Sequence, residues 1–174
     1  MIALIGPRLT HSDYALDTVR SFRDMPRRYC RSITSACRAV RYRKARYGIV
    51  PISNSYTGEI METAKAMKMG SFSVLKKIHF RIHHSLIGAR LLELEDIRVI
   101  YSHPQALLQC EKFLKKYCPS ARLVPVSSTA RAVEMIGRSR LASCAAIGAH
   151  GIGLHVLKNK IEDKAKNITT FVII

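Results

Sequence analysis

The residues best suited to chemistry cluster in one short segment, Val99 to Cys110, which reads VIYSHPQALLQC. It places a serine, a histidine, a proline, two glutamines and a cysteine between two apolar runs. A plain strand-to-helix turn needs only a cap and a helix breaker. The extra hydrogen-bonding groups indicate a turn that also lines a ligand cleft, with a metal site and a nucleophile site as alternatives.

Neither alternative finds support elsewhere in the sequence. His79 and His83 are four residues apart, but the sequence around them alternates like a strand, so they need not converge on a metal ion. Cys110 has no identifiable partner that would stabilise a thiolate and is expected to be a small buried residue. The absence of a CxxC pair predicts reduced thiols for all five cysteines, Cys30, Cys37, Cys110, Cys118 and Cys144.

Polar segments of the same kind follow apolar runs at four other places, GPRLTHS, PISNSYTG, VSSTA and NITTF. Ligands of α/β proteins bind beyond the carboxyl ends of strands, and helix N-termini attract anions. Converging turns of this kind predict a cleft for a small, negatively charged, oxygen-rich molecule. Phosphate loops of the GxGxxG or GxxxxGK type are absent from the sequence, so a nucleotide is not expected.

Strand-like and helix-like segments alternate along the chain and position these turns. The 174 residues suffice for one domain with a real core or for two small lobes. The alternation predicts an α/β fold with sheets covered by helices. Strands are expected over 1–7, 47–55, 72–89, 97–102, 121–128, 142–149 and 168–174, and helices over 11–22, 32–45, 58–70, 104–118 and 128–139.

The charge of the chain is strongly positive. Lysine and arginine number 29 against 12 acidic residues, a formal net charge of +17, and residues 27–48 carry eight of the basic ones. This segment indicates either a nucleic-acid surface or a solvated helix face in a basic proteome. No nucleic-acid-binding motif accompanies the charge, which makes nucleic-acid binding the weaker alternative, although Tyr29, Tyr42 and Tyr47 interleave with the arginines.

Membrane insertion is not expected, since no apolar run is long enough to span a bilayer. The first residues, MIALIGP, lack the basic start and the cleavage site of a signal peptide. These features predict a cytoplasmic protein.

Five motifs in a fixed order, VPISNSYTG, YSHPQALLQC, SSTARAVEM, AAIGA and NITTF, resemble the catalytic domain of the prephenate dehydratases over nearly the whole chain. The resemblance implies a periplasmic-binding-protein-like type 2 fold, with a cleft between lobe one, about 1–76 plus 156–174, and lobe two, about 77–155. It implies a carbon–oxygen lyase that converts prephenate to phenylpyruvate, with loss of carbon dioxide and water, in L-phenylalanine biosynthesis. The resemblance implies that no metal or organic cofactor is required. It also implies that the chain forms a homo-oligomer.

The resemblance also assigns roles to individual residues. Thr169 matches the threonine of the family's Thr-Arg-Phe motif and is expected to be the proton donor. Residues that match other motif positions are expected to bind the substrate: Thr10, Ser12, Asn54, Ser55, Gly58, Ser102, His103, Gln105, Gln109, Ser128, Thr129 and Phe171.

The sequence departs from the family pattern at three of these motifs. The motif arginine is Thr170, the glutamate of the usual Glu-Asn-Ser turn is Ser53, and the glycine of the usual Gly-Thr is Leu9. A hydroxyl cannot replace a guanidinium fork. The first two changes together indicate a compensated loss of an ion pair, a redirected enzyme such as a non-aromatising prephenate decarboxylase, or a small-anion binding module without turnover.

The family usually continues into a phenylalanine-binding ACT domain, whereas this sequence stops at TTFVII. The resemblance therefore predicts a catalytic domain without the ACT regulatory domain and without feedback inhibition through it.

Overall fold

The computed structural model describes residues 1–139, 142–149, 153–164 and 166–174. By internal contacts the chain divides into unit one, Met1–Ile82 with Lys166–Ile174, and unit two, His83–Ala165. Each unit has its own sheet with helices packed on it, which confirms the predicted α/β class. No helix in the described ranges is both long and apolar enough to span a bilayer.

Unit one is built on a six-stranded sheet in the order β2-β1-β3-β11-β5, with β4 paired to β3. Strand β1 is parallel to β2 and β3, whereas β11 is antiparallel to β3 and β5. The strands are β1 (Ile2–Ile5), β2 (Arg27–Cys30), β3 (Tyr47–Asn54), β4 (Gly58–Glu59), β5 (Lys76–Arg81) and β11 (Ile168–Ile173), and the helices are α1 (His11–Asp17), α2 (Ile33–Arg41) and α3 (Met61–Met67).

Helix α2 shows how the local sequence sets these elements. The Ser32 side chain accepts the backbone N–H of Ser35, and the Ser35 side chain accepts that of Ser32, which forms a capping box. The buried residues Ile33, Ala36 and Cys37 recur at helical spacing, so one face packs on the sheet and the opposite face keeps its arginines in solvent.

Unit two is built on a five-stranded sheet in the order β10-β6-β9-β7-β8. Strand β7 is parallel to β8 and β9, and β6 is antiparallel to β9 and β10. The strands are β6 (Ser85–Gly88), β7 (Val99–Ser102), β8 (Arg122–Pro125), β9 (Cys144–Gly148) and β10 (His155–Lys158); the α-helices are α4 (Pro104–Gln109), α5 (Glu111–Tyr117) and α6 (Thr129–Ser139), with a 3-10 turn at Leu94–Asp96.

Several predicted elements differ from the observed ones. The helix expected over 104–118 is two helices, because Cys110 leaves the helical region with φ −114° and ψ 14°. Of the helix expected over 11–22, only His11–Asp17 is α-helical. The helix expected over 58–70 begins at Met61. Strands β2 and β10 were not predicted, because neither has a buried residue.

The extended segment expected over 72–89 contains two strands that belong to different units. Strand β5 pairs with β11 in unit one, whereas β6 pairs with β9 in unit two. The contacts therefore divide the chain into its two units between residues 82 and 83 and between residues 165 and 166. The lobe boundaries expected after residues 76 and 155 stay a prediction.

The cysteines form no disulfide. Cys110 is fully buried, and burial raises the pKa of its thiol, with Asp163 and Glu162 adding to the effect. A protonated, inaccessible thiol is not a nucleophile, so Cys110 is a packing residue.

Candidate active site

In unit one, Thr169 lies near the start of β11, which runs between β3 and β5. Its partners across the two ladders are Asn54 and Phe80. The residue is 8% exposed, and the Asn54 side-chain amide donates to its hydroxyl oxygen, Nδ2 to Oγ1, at 2.8 Å. The threonine expected to be the proton donor is thus held by one of the residues expected to bind substrate.

The orientation of the Asn54 amide follows from its other contacts. Asn54 Oδ1 accepts the backbone N–H of Tyr56 at 2.9 Å, and a flipped amide would set two donors against each other there. Nδ2 also donates to Asn167 Oδ1 at 3.0 Å. Because the Thr169 oxygen accepts from Nδ2, its own proton is directed to a different acceptor, as a proton donor requires.

Ser55 and Gly58 shape the turn that carries Asn54. The Ser55 hydroxyl donates to the carbonyl of Lys166 at 2.9 Å and accepts the N–H of Ile168 at 3.0 Å, which ties the turn to the start of β11. Gly58 has φ +74°, a conformation that costs other residues roughly 1–2 kcal/mol. Both residues position the Asn54–Thr169 pair.

Phe171 points into the core of unit one. It is 2% exposed and stacks edge-on with Phe80, with ring centroids 6.5 Å apart. This position does not support the substrate contact that the motif predicts, and we assign Phe171 a packing role beneath the sheet.

The N-terminal turn is built around a helix cap. The Thr10 side chain accepts the N–H of Asp13 at the start of α1 and donates to the carbonyl of Ile5 at 3.1 Å, while Ser12 is buried in the first turn. Leu9 adopts φ +65°, a region that favours glycine, so the family's usual glycine fits this backbone better than the leucine does. Its N–H donates to Asp13 Oδ2 at 2.6 Å, which holds the turn in place.

The two departures that involve charge fall on directly opposed residues. Thr170 on β11 pairs with Ser53 on β3, and on its other side with His79 on β5. Neighbours along a strand point to opposite faces, so Thr170 does not share the face of Thr169. A glutamate at 53 and an arginine at 170 would lie within reach of each other across the strands. Among the three alternatives, this geometry favours the compensated loss of a cross-strand ion pair.

We expect this pair to be energetically coupled. The free energy of unfolding of the double variant Ser53→Glu, Thr170→Arg should exceed the value expected from adding the two single effects by about 0.5–1 kcal/mol, because opposite charges on facing residues attract. Urea unfolding of the wild type, both single variants and the double variant measures this coupling. Purely additive effects would contradict the cross-strand explanation.

In unit two, the Ser-His-Pro-Gln segment is the turn from β7 into α4. The Ser102 hydroxyl is fully buried and donates to the carbonyl of Ile147 at 2.8 Å, so it links β7 to β9. His103 caps α4, with Nδ1 accepting the N–H of Gln105 at 3.2 Å, and Pro104 occupies the first turn. His103 and Pro104 thus supply the cap and the helix breaker that a strand-to-helix turn needs.

The cap fixes the tautomer of His103. Since Nδ1 accepts a hydrogen bond, the neutral ring carries its proton on Nε2, which can donate to a ligand carboxylate. Burial lowers the pKa of the half-buried imidazole, so the ring is neutral at pH 7.

This arrangement predicts a pH dependence of stability. With a lowered pKa in the fold, the unfolded chain binds the proton first, so the free energy of unfolding falls as the pH drops below the ordinary histidine value of about 6.5. His103→Asn keeps a capping side chain that does not titrate. We expect this variant to lose less stability than the wild type between pH 7 and pH 5 in denaturant titrations; equal losses would contradict the assignment.

Gln109 is buried at the end of α4 and is held by a residue that the sequence did not point to. His84 Nε2 lies 2.8 Å from Gln109 Oε1, and both side chains are buried. Burial lowers the pKa of His84, although the bond to Gln109 raises it, so a neutral ring donates to the amide oxygen. Gln109 therefore positions His84 and the segment beside it, a role that is invisible in the spacing of the motif.

His79 and His83 have separate partners. His79 Nδ1 is 3.0 Å from the Thr170 hydroxyl, and His83 Nδ1 is 2.6 Å from Glu162 Oε1. Within the described residues, no group of three potential metal ligands comes together.

The remaining predicted site residues begin α6. The Ser128 side chain accepts the N–H of Arg131 at 3.0 Å, and Thr129 is the first residue of the helix. Gly148 on β9 allows the helix to pack closely, since a Cβ there would lie 2.5 Å from the Val133 side chain. Both hydroxyl residues are half-buried at a helix N-terminus, where a ligand carboxylate is favoured.

Comparison with known proteins identifies the family. The sequence profile of the prephenate dehydratases matches residues 2–174. This chain belongs to the prephenate dehydratase family. The prephenate dehydratase of Arthrobacter aurescens, solved in complex with L-Phe, has a similar structure, with a TM-score of 0.90 and 30% identity over 99% of this chain and 58% of that one. This relationship confirms the periplasmic-binding-protein-like type 2 fold.

Relatives and further structures agree. The bifunctional chorismate mutase/prephenate dehydratase of Buchnera aphidicola (subspecies Schizaphis graminum) is 30% identical over 178 residues, and that of Escherichia coli K12 is 29% identical over 179 residues. In both cases the match covers 99% of this chain and 46% of the relative, so the chain spans about half the length of these curated relatives. The Staphylococcus aureus prephenate dehydratase, at 24% identity, shares the fold with a TM-score of 0.79 over 99% of this chain and 65% of that one.

Proposed function

We propose that this chain is a prephenate dehydratase, which converts prephenate to phenylpyruvate in L-phenylalanine biosynthesis. Membership of the family supports the reaction class. The observation that carries the proposal is the Asn54–Thr169 hydrogen bond, because it makes the threonine oxygen an acceptor and turns its proton towards another group.

The reaction asks little of the protein beyond placement and one proton. The ring carboxylate of prephenate leaves as carbon dioxide, and the electrons of the broken carbon–carbon bond enter the ring. The ring hydroxyl departs with a proton from Thr169 as water, and the ring becomes aromatic. The Thr169 side chain then regains a proton from solvent. The net reaction is therefore prephenate plus one proton giving phenylpyruvate, carbon dioxide and water. Aromatisation supplies the driving force, and the residues of the chain stabilise the departing groups.

The carboxylates of the substrate need donors, and unit two offers them. His103 presents Nε2–H. Ser128 and Thr129 stand at the N-terminus of α6, where the first backbone N–H groups have no partner within the helix. We assign these three residues and Gln105 to the binding of the anionic groups. Thr170 lies opposite Ser53. The compensated loss of an ion pair is one of three explanations for the missing arginine, and the assay described below distinguishes it from a redirected enzyme and from a binding module.

Two further features remain predictions. The resemblance predicts a homo-oligomer and a cytoplasmic location. Sedimentation of the purified chain tests the first of these, and fractionation of the source cells tests the second.

The experiment is an assay of the purified chain with prephenate at neutral pH. We expect phenylpyruvate from the wild type and from Thr169→Ser, which keeps the hydroxyl, and little from Thr169→Ala. A product that is decarboxylated but not aromatic would indicate the redirected enzyme. Binding of prephenate without turnover would indicate a binding module, and either result would overturn the proposal.

A further inference from the structure

The largest excess of positive charge has no part in the proposed reaction. Residues 25–58 contain no acidic residue, and the arginines of this stretch lie on β2, on α2 and in the segments that follow each of them. These elements enclose a groove of about 410 Å³ in unit one. We call it the basic groove; its cationic and aromatic lining consists of Arg28, Tyr29, Arg31, Arg38, Tyr42 and Lys44.

The four cations of the basic groove are exposed, and among the described residues none of them forms a salt bridge. Arg27, the neighbour of Arg28, differs because it pairs with Asp13 and Asp17 behind β2. The groove therefore presents uncompensated positive charge, which attracts phosphate groups and releases counterions when they bind.

Of the two tyrosines of the basic groove, Tyr29 turns its ring to the face of β2 that Arg27 occupies. The Tyr29 ring is 37% exposed and is held in place by its hydroxyl, which donates to Asp13 Oδ1 at 3.1 Å. Burial and the Asp13 carboxylate raise the pKa of this hydroxyl, so it stays a donor at neutral pH. Tyr29 therefore borders the basic groove without offering its ring to a base, and the stacking role falls to Tyr42.

Tyr42 is the more open of the two rings. It is 61% exposed at the end of α2, and the guanidinium of Arg41 lies 5.6 Å from its ring centre. The Arg41 side chain is in turn anchored to the carbonyl of Met69. An exposed ring supported by an arginine is a stacking surface of the kind that proteins use for unpaired bases.

We propose that the basic groove binds single-stranded nucleic acid, with Arg28, Arg38 and Lys44 contacting phosphates and Tyr42 stacking on a base. Exposed cations beside an exposed aromatic ring suit the alternation of phosphates and bases in an unpaired strand. A double helix hides its base faces and would use the charges alone, so it is the less suitable partner.

The test measures fluorescence anisotropy of a labelled twelve-nucleotide single-stranded RNA with the purified chain at several salt concentrations. We expect binding that weakens with salt. In the triple variant Arg28→Ala, Arg38→Ala, Lys44→Ala, the slope of log affinity against log salt should be less steep by about 2. Each lost phosphate contact accounts for about 0.7 of this change. Tyr42→Ala should weaken binding roughly tenfold without changing this slope, and Tyr42→Phe should bind as the wild type does.

A matched control removes the same charge elsewhere. Arg98, Arg122 and Lys158 are exposed residues of unit two, and the triple alanine variant at these positions should bind RNA nearly as the wild type does. Equal weakening by both triple variants would show that net charge alone attracts the RNA and would overturn the proposal. The absence of RNA binding would also overturn it. The same holds if heparin or duplex RNA binds as strongly as the single-stranded RNA and Tyr42→Ala does not weaken that binding. Melting curves of all variants confirm that each is folded.

Discussion

Replacing Thr169 by valine is expected to lower kcat for phenylpyruvate formation by roughly 10² to 10⁴, the usual contribution of a positioned proton donor. Valine keeps the branched shape that fits β11 but has no hydroxyl. The change leaves the Asn54 amide without the acceptor that it now has at 2.8 Å, so a loss of stability of about 1–2 kcal/mol should accompany the loss of rate. Steady-state kinetics and thermal melting measure the two effects separately.

Thr170→Val is the matched control for this prediction. It makes the same chemical change one residue further along the strand, on the opposite face, where the hydroxyl contacts His79. We expect kcat to stay within a few-fold of the wild type. If the two valine variants lose activity equally, the hydroxyl of Thr169 has no special part in the reaction.

Replacing Asp13 by alanine is expected to destabilise the chain by about 3–5 kcal/mol, the cost of leaving one partner of a buried ion pair behind. The Asp13 side chain is 4% exposed and accepts Arg27 Nη1 at 2.7 Å, the Tyr29 hydroxyl and the N–H of Leu9. A loss of this size lowers Tm by roughly 6–20 °C in a chain of this length. Calorimetry or melting followed by circular dichroism measures it.

The neighbouring Asp17 provides the comparison. It pairs with the same arginine, but its side chain is 45% exposed, and exposed pairs contribute about 0–1 kcal/mol. Asp17→Ala should therefore change Tm by only a few degrees. Equal effects of the two alanine variants would show that burial of the Asp13 carboxylate does not set the energy of this network.

The sequence predicted those parts of the fold that depend on neighbours along the chain. Helices α1, α4 and α6 begin within one residue of the expected positions 11, 104 and 128, because each start depends on residues within a few positions of one another. Strand β2 was missed because its stability comes from pairing with β1 and from the contact of Arg27 with Asp13, and neither leaves an apolar pattern in RRYC.

The candidate site followed from the sequence only in part. Thr169 and Asn54 could each be identified from a motif, but their hydrogen bond joins residues 115 positions apart and depends on the register of β11 against β3. The same register pairs Ser53 with Thr170, so two departures that are far apart in the sequence fall on facing residues. The contact of His84 with Gln109 was not predictable, since the two residues are 25 positions apart and belong to different elements.

The measurement that tests the central claim most directly is the ratio of carbon dioxide to phenylpyruvate released from prephenate by the purified wild-type chain. If Thr169 protonates the departing hydroxyl as the carboxylate leaves, the two products appear one to one, and Thr169→Val loses both together. Carbon dioxide without phenylpyruvate would mean that this chain decarboxylates without dehydrating. Neither product, with prephenate bound, would mean that it has kept the fold and the binding residues without the reaction.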